Sequence, residues 1–387
     1  MRRWFLVAGG VLALLIAVAL GFYGWAWSST DESTLARAVI WRESDVGDQH
    51  RFPSRQIPAG ARASPLPRGV EADLVVGGEG TELDEFLRET DTLAFVVVHE
   101  DRLVYERYFD GATRESLQTS FSAAKSFAST LVGIAIDERL IGGLDDRITE
   151  YVPELGARDP RFRQITLHDL LTMSSGLQWR EGGFPSLGDD THTYYGVDLR
   201  DLALNRTRIA EPPGVTWQYN DYNPLLLGLV LERATRTSVS DFMARRLWQP
   251  LGAEADATWS LDSERSGFEK MESGVNARPV DYARFGLLFL HDGEWNGRRI
   301  VSKEWVRAAT RAGTPTDPVY YYDYRYFWWL DPEQPGRFYA FGKYGQFVYV
   351  APDANTVVVR FGRSSGVTRT TWLATFRDVA DQLAGRR

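Results

Sequence analysis

An apolar run at the N-terminus is the feature that most limits how this chain can fold. Residues 4 to 27 contain no charged side chain. In a helix, about 24 residues measure about 36 Å, enough to cross a hydrocarbon core of about 30 Å. Arg2 and Arg3 precede the run, and Asp31 and Glu32 follow it. This charge bias predicts a cytoplasmic N-terminus, with the rest of the chain on the outer side, either periplasmic or extracellular.

A cleaved signal peptide is the alternative interpretation of this run. A signal peptide has a shorter apolar core, followed by a cleavage site with small residues. Here the run closes with the aromatic stretch "FYGWAW" (residues 22 to 27), which is a poor cleavage site and suits a membrane interface. We therefore expect residues 1 to 27 to form an uncleaved transmembrane anchor, with the lipid bilayer as a partner.

Composition excludes several classes of function for the remainder of the chain. Of 387 residues, 44% are hydrophobic and 25% charged, which is typical of a globular protein with a substantial core. The net charge is −8 and the basic residues are scattered, so no nucleic-acid partner is expected. The absence of cysteine excludes disulfides and thiolate chemistry. The five histidines form no H-E-x-x-H pattern, and we expect neither a metal nor an organic cofactor.

The order of the predicted elements indicates an α/β (α+β) fold. Residues 28 to 80 show little periodicity and are expected to form an extended arm laid over the main domain, which spans residues 81 to 387. Residues 92 to 111 predict a β-hairpin, residues 140 to 310 are mostly helical, and the last part returns to strands. The terminal strands are most simply joined in a central antiparallel sheet flanked by helices, with the helical stretch as an inserted region.

A serine and a lysine stand three residues apart in "TSFSAAKSFA", residues 119 to 128. On a helix, Ser122 and Lys125 would lie on one face. A serine hydroxyl needs a base to become a good nucleophile, and burial lowers the pKa of a lysine so that a neutral amine becomes available. The alternative is a chance match, with small residues at a helix start and a solvated lysine.

Two later stretches add to this pattern. Tyr219 lies in "PPGVTWQYNDYNPLLLG", between a Pro-Gly turn and an apolar helix, where a reactive phenol could border a cleft. Gly342 and Gly345 interrupt the strand pattern "FYAFGKYGQFVYVAPD", which indicates a close approach to the backbone. The alternatives are a buried loop tyrosine and a β-bulge.

In this order, a Ser-x-x-Lys motif, a Tyr-x-Asn-like motif and a glycine-containing strand motif resemble the serine β-lactamase and penicillin-binding-protein superfamily. The chain is most similar to the class C branch, and within it to the 6-aminohexanoate-dimer hydrolases. The resemblance extends from about residue 40 to the end of the chain. It implies a β-lactamase/transpeptidase-like fold and a serine hydrolase activity without a cofactor.

The resemblance also implies roles for individual residues. Ser122 would be the nucleophile, Lys125 its partner base and Tyr219 a second proton-transfer group. The strand motif aligns at Gly342, so the backbone N–H of Lys343 would join that of Ser122 in an oxyanion hole.

Two positions depart from the family pattern. Asp221 stands where the family has an asparagine, and an ionised aspartate cannot donate a hydrogen bond. The strand triplet reads "AFG" (340 to 342) and lacks the cation or imidazole that meets a penicillin carboxylate, which argues against a dedicated β-lactamase.

The acidic and aromatic side chains after "LLTMSSGL" are candidates for substrate binding. Asp189, Asp190, Tyr194 and Tyr195 could receive an amine or a hydrophobic acyl group, as could Asp221. An ordinary surface loop is the alternative for the first four.

We therefore expect an exported serine hydrolase that cleaves a small-molecule amide or ester through an acyl-enzyme on Ser122. A β-lactamase or DD-peptidase is an alternative within the class. A non-catalytic penicillin-binding-like module is an alternative outside it.

If the apolar run is an uncleaved anchor, the full-length protein will sediment with membranes and resist carbonate extraction, because a spanning helix is not released by high pH. Its mature N-terminus will lie at or near Met1. Extraction followed by N-terminal sequencing measures both properties. A soluble protein that starts between about residues 24 and 35 would instead identify a cleaved signal peptide.

Overall fold

The computed structural model of the protein describes residues 2–61, 63–77, 80–182, 188–311 and 323–386. The helices are α1 (Arg2–Ser28), α2 (Thr34–Trp41), α3 (Leu83–Glu89), α4 (Ala124–Asp137), α5 (Ile148–Tyr151), α6 (Pro153–Arg158), α7 (Leu167–Leu171), α8 (Asp189–Tyr195), α9 (Leu199–Asp201), α10 (Tyr222–Thr235), α11 (Val239–Met243), α12 (Pro279–Leu290), α13 (Lys303–Thr310) and α14 (Arg369–Leu383). The strands are β1 (Ser54–Ile57), β2 (Val75–Val76), β3 (Thr81–Glu82), β4 (Thr92–His99), β5 (Arg102–Tyr108), β6 (Gln118–Thr119), β7 (Ala257–Ser260), β8 (Val275–Ala277), β9 (Glu294–Trp295), β10 (Arg298–Arg299), β11 (Tyr324–Arg325), β12 (Trp328–Leu330), β13 (Phe338–Gly342), β14 (Gln346–Ala351) and β15 (Thr356–Gly362).

The central sheet joins strands from both ends of the chain, as the sequence predicted. Its order is β11-β12-β13-β14-β15-β4-β5, and every neighbouring pair is antiparallel. The C-terminal β15 pairs with the N-terminal β4, with Val358 opposite Val97. Both strands are apolar runs that are buried on both faces, which is why they lie in the middle of the sheet.

Helices cover the two faces of the sheet. Helix α12 packs on β15, β14 and β4. On the other face, Phe376 of α14 packs against Phe347 and Tyr349 of β14, which alternate with Val348 on the α12 side. These contacts confirm the predicted α+β architecture, in which a helix-rich region separates the N-terminal from the C-terminal strands.

The arm predicted over residues 28 to 80 is not extended throughout. It contains helix α2, which begins after Ser33, whose side chain accepts a hydrogen bond from the backbone N–H of Ala36. Further along, β1 pairs with β7 and extends a second sheet of order β1-β7-β8-β6. The arm is therefore built into the body of the protein by both a helix and a strand.

Residues Val7–Ser28 of α1 are long and apolar enough to cross a membrane, and all of them except the buried Ala26 are exposed. By length and composition, the helix fits either a signal anchor or a signal peptide.

Helix α12 can approach the sheet closely because residue 286 has no side chain. A Cβ atom on Gly286 would lie 2.5 Å from Cγ1 of Val357 and 3.1 Å from Cγ1 of Val348, both of which are buried. Gly286→Ala should therefore reduce the free energy of unfolding by about 1–3 kcal/mol, because an overpacked core must shift. Thermal denaturation should show a lower midpoint than for Gly143→Ala, whose Cβ would have no atom within 4 Å. Equal midpoints would contradict this packing.

Candidate active site

Ser122 lies in a short 3₁₀ turn, Phe121–Ala123, immediately before α4. The backbone just before Ser122 has two notable features. Ser120 donates its N–H to the carbonyl of Val275, and Phe121 has φ +43°, a left-handed conformation that bulky residues rarely adopt. Strain of this kind is commonly found where a functional side chain is held in place.

The Lys125 side chain is fully buried one helical turn from Ser122. Its Nζ donates hydrogen bonds to Ser122 Oγ at 3.0 Å and to the backbone carbonyl of Glu272 at 2.9 Å. Asp221 Oδ1 lies 2.9 Å from the same nitrogen. That contact is an ion pair by distance but lacks hydrogen-bond geometry, so Oδ1 has no hydrogen-bond partner among the described residues. The predicted serine–lysine pair is thus in direct contact.

The charge state of Lys125 differs from the sequence-based expectation. Burial on its own lowers the pKa of Lys125, as the sequence argument assumed. The Asp221 carboxylate and the Tyr219 side chain outweigh burial and raise the pKa of Lys125 above its ordinary value. The direction of this shift is therefore opposite to the sequence-based expectation, and the neighbouring groups favour the ammonium form of Lys125 in the unliganded site.

Tyr219 lies against Lys125 on the loop that leads into α10. Its ring centroid is 4.9 Å from Lys125 Nζ. On another side it stacks on Trp329 at 5.9 Å and contacts Tyr324 edge-on at 5.8 Å. Asn220 braces this loop, because its side chain donates to the carbonyl of Leu177 and accepts from the next helix. The phenol is thus held beside the lysine by an aromatic wall.

The glycine pair predicted to mark a close approach belongs to a tight hairpin turn between β13 and β14. A Cβ on Gly342 would lie 2.1 Å from the carbonyl oxygen of Ser120, so the strand end directly touches the backbone before Ser122. Gly345 has φ +74° and closes the turn. Lys343 lies in this turn, and its Nζ donates to Ser44 Oγ at 2.7 Å.

One cleft of about 800 Å³ brings together Ser122, Asp221, Lys343, Tyr194 and Tyr195. The Tyr194 hydroxyl donates to Asp48 at 2.9 Å, and the Tyr195 hydroxyl donates to the Arg42 carbonyl. Burial and the Asp48 carboxylate raise the pKa of Tyr194 far above its usual value. Both tyrosines therefore present neutral rings to the cleft.

Asp189 and Asp190 lie in the first turn of α8. Asp189 accepts hydrogen bonds from the Arg180 N–H and the Tyr222 hydroxyl, whereas Asp190 lines the cleft. The sequence reasoning missed Glu272, which also lines it. One carboxylate oxygen of Glu272 pairs with Lys270 at 2.8 Å and the other has no hydrogen-bond partner among the described residues. No motif marks Glu272, because its backbone carbonyl provides the contact with the catalytic candidates.

The cleft also contains Arg42, Glu43 and Ser44 from the N-terminal arm. Sequence reasoning missed these residues because their segment shows no periodicity. Within the described ranges, no group of three or more histidine, aspartate or glutamate residues could hold a metal ion.

Comparison with known proteins assigns the chain to a family. A family model described as "Beta-lactamase" matches residues 83–371. The 6-aminohexanoate-dimer hydrolase of Paenarthrobacter ureafaciens is 28% identical over 299 residues, covering 72% of this chain and 74% of that protein.

Solved structures agree with this assignment. A Bacillus anthracis protein assigned as a 6-aminohexanoate-dimer hydrolase superposes with a TM-score of 0.79 at 25% identity, over 88% of this chain and 94% of that one. A class C β-lactamase in complex with cefoxitin shares the fold, with a TM-score of 0.57 at 15% identity over 77% and 96% of the two chains. The resemblance predicted from the motifs is confirmed: the chain belongs to the β-lactamase family and is a hydrolase with the β-lactamase fold.

Proposed function

We propose that this protein is a serine hydrolase that cleaves an amide or ester bond through an acyl-enzyme on Ser122. The observation that carries the proposal is the 3.0 Å contact between Lys125 Nζ and Ser122 Oγ, where Ser122 lines a cleft of about 800 Å³. A nucleophile in hydrogen-bond contact with its proton-transfer partner is the usual arrangement for covalent catalysis.

The charge of Lys125 decides which groups can accept and donate protons in the reaction. An ammonium has no lone pair, so Lys125 cannot take the serine proton and instead donates to Ser122 Oγ. Tyr219 is left as the group that relays the proton. As Oγ bonds to the substrate carbonyl carbon, its proton passes to the phenol oxygen of Tyr219 while that phenol gives its own proton to the leaving amine or alcohol. Water hydrolyses the acyl-enzyme by the same route in reverse.

The developing oxyanion needs donors that are already in place. We assign them to the backbone N–H groups of Ser122 and Lys343. The support is the close approach of Gly342 to Ser120, which brings the β13–β14 turn against the start of α4. Any side chain at residue 342 would push the turn away.

We further propose that α1 anchors the protein in a membrane with the hydrolase domain on the outer side. The support is its apolar stretch of membrane-spanning length, together with the arginines that precede it and the acidic residues that follow.

The substrate class can be tested with a panel. Short-chain p-nitrophenyl esters, D-amino acid amides and 6-aminohexanoate dimer represent the proposed activity. Nitrocefin represents the β-lactamase alternative, which lacks support from the strand triplet "AFG".

Ser122→Ala should abolish both turnover of p-nitrophenyl acetate and covalent labelling by a fluorophosphonate, because the attacking oxygen is removed. The matched control is Ser129→Ala in α4, the helix that follows Ser122, which removes a buried hydroxyl without a hydrogen-bond partner among the described residues. Both variants should stay folded, with stability changes on the order of 1 kcal/mol. Labelling that persists in Ser122→Ala would disprove the assignment.

The pH dependence of kcat/KM in the Asp221→Asn variant tests whether the mechanism uses a charged Lys125. Without the carboxylate, the effect of burial is opposed less strongly and the pKa of Lys125 falls. Because the mechanism uses the charged lysine, the alkaline limb of kcat/KM should move down by about one pH unit or more. Asp190→Asn, in the same cleft, is the control and should leave that limb in place. A gain of activity at neutral pH in Asp221→Asn would instead identify a neutral lysine as the base.

A further inference from the structure

The cleft that holds Ser122 is bordered by the apolar N-terminal helix itself. Tyr23 of α1 lines the same 800 Å³ cleft as Ser122, together with Val39, Arg42 and Glu43 of the arm. The nucleophile and the end of the apolar helix therefore face one continuous space.

A buried arginine fixes the chain that leaves α1 to the body of the protein. The Arg37 side chain is fully buried and donates to the carbonyls of Thr30, Gly196 and Asp262. Burial lowers the pKa of Arg37, while the nearby Asp31 opposes this effect. Arg37 thus hydrogen-bonds both to Thr30, just after α1, and to Gly196 and Asp262 in the body of the protein. These bonds fix the position of the end of α1 beside the cleft.

The part of the arm that follows α2 contacts the proposed oxyanion hairpin directly. The Tyr195 hydroxyl donates to the Arg42 carbonyl. Ser44 is held twice, because its Oγ accepts from Lys343 Nζ and its carbonyl accepts from the Tyr344 hydroxyl. The arm is thus a wall of the cleft, and it connects the helix to the catalytic elements without a free linker.

The position of Tyr23 along α1 indicates the level at which this side of the cleft would meet the bilayer. Tyr23 lies five residues before Ser28, the last residue of the helix, which corresponds to about 7.5 Å along its axis. Phe22, Tyr23, Trp25 and Trp27 are all exposed. Exposed aromatic rings at the end of an apolar helix are typical of the headgroup level of a bilayer.

We propose that the active-site cleft opens onto the outer surface of the membrane and that the substrate is an amphiphile, whose ester or amide bond reaches Ser122 while its apolar tail stays in the bilayer. This inference rests on the proposed hydrolase activity and anchoring. One water molecule supplies the hydroxyl group that joins the acyl carbon and the proton that joins the leaving group. The reaction therefore needs no reactant besides water.

The first test compares two acetate esters of the same hydroxycoumarin ring, which differ only in the length of the alkyl chain at C4. 4-Methylumbelliferyl acetate is soluble, whereas 4-heptadecylumbelliferyl acetate is held in the bilayer. The full-length protein is reconstituted in phosphatidylcholine vesicles, as wild type and with an (EAAAK)₄ spacer inserted between Ser28 and Ser29. The spacer would lift the domain by about 30 Å where it is helical.

We expect the spacer to reduce hydrolysis of the bilayer-held ester at least tenfold and to change hydrolysis of the soluble ester less than twofold. Ser122→Ala supplies the blank for both esters. Equal effects on the two esters, or a wild type that cleaves only the soluble ester, would overturn the inference. A wild type that cleaves neither ester would disprove the proposed activity for this substrate class, and the placement of the cleft would then be decided by the second test.

The second test needs no catalysis and uses the absence of cysteine from the chain. A bimane label is attached to Glu43→Cys at the cleft and, as a control, to Asn296→Cys, which is exposed in the β9–β10 hairpin. Lipids with a nitroxide on the headgroup should quench the label at residue 43 at least twice as strongly as the label at residue 296. Equal quenching, or none at either position, would place the cleft away from the membrane and overturn the inference.

Discussion

The buried charge of Lys125 is the constraint on which the active site depends. A charged group without water must be surrounded by partners, or the fold loses several kcal/mol. Its partners come from three segments of the chain: Ser122 from the turn before α4, Tyr219 and Asp221 from the loop before α10, and Glu272 from the loop before β8. One buried lysine thus brings three segments together around Ser122, and the nearby Asp221 carboxylate favours its charged form.

The central sheet provides the rigid frame for this arrangement. Its middle strands β4 and β15 are buried on both faces, and the β13–β14 hairpin extends from the same sheet to the start of α4. Under the hairpin turn, the fully buried Arg360 donates to the carbonyls of Tyr344 and Gly345. The turn that carries Lys343 is therefore held from below by a guanidinium and from above by Ser44. Such support on both sides keeps backbone donors in place without reorganisation during the reaction.

The N-terminal arm gives the fold a feature that a hydrolase domain alone would not have. It begins at the apolar helix, is fixed to the core at Arg37, pairs with the second sheet through β1, and contacts Lys343 of the β13–β14 hairpin through Ser44. Membrane attachment and catalysis would therefore share one rigid segment. In the proposed arrangement, the bilayer would select the substrate by position, before the cleft selects it by shape.

The sequence by itself determined the elements that depend on local pattern. The apolar run predicted α1, the strand–helix–strand order predicted the sheet, and the spacing of Ser122 and Lys125 predicted their contact, because helical periodicity places residues three apart on one face. Only the tertiary structure decided the charge of that lysine. Burial and a carboxylate shift its pKa in opposite directions, and which one dominates depends on the 2.9 Å between Nζ and an aspartate 96 positions away. Glu272 and the arm residues that line the cleft could not be predicted for the same reason. They act through contacts between distant segments, and such contacts produce no periodic pattern in the sequence.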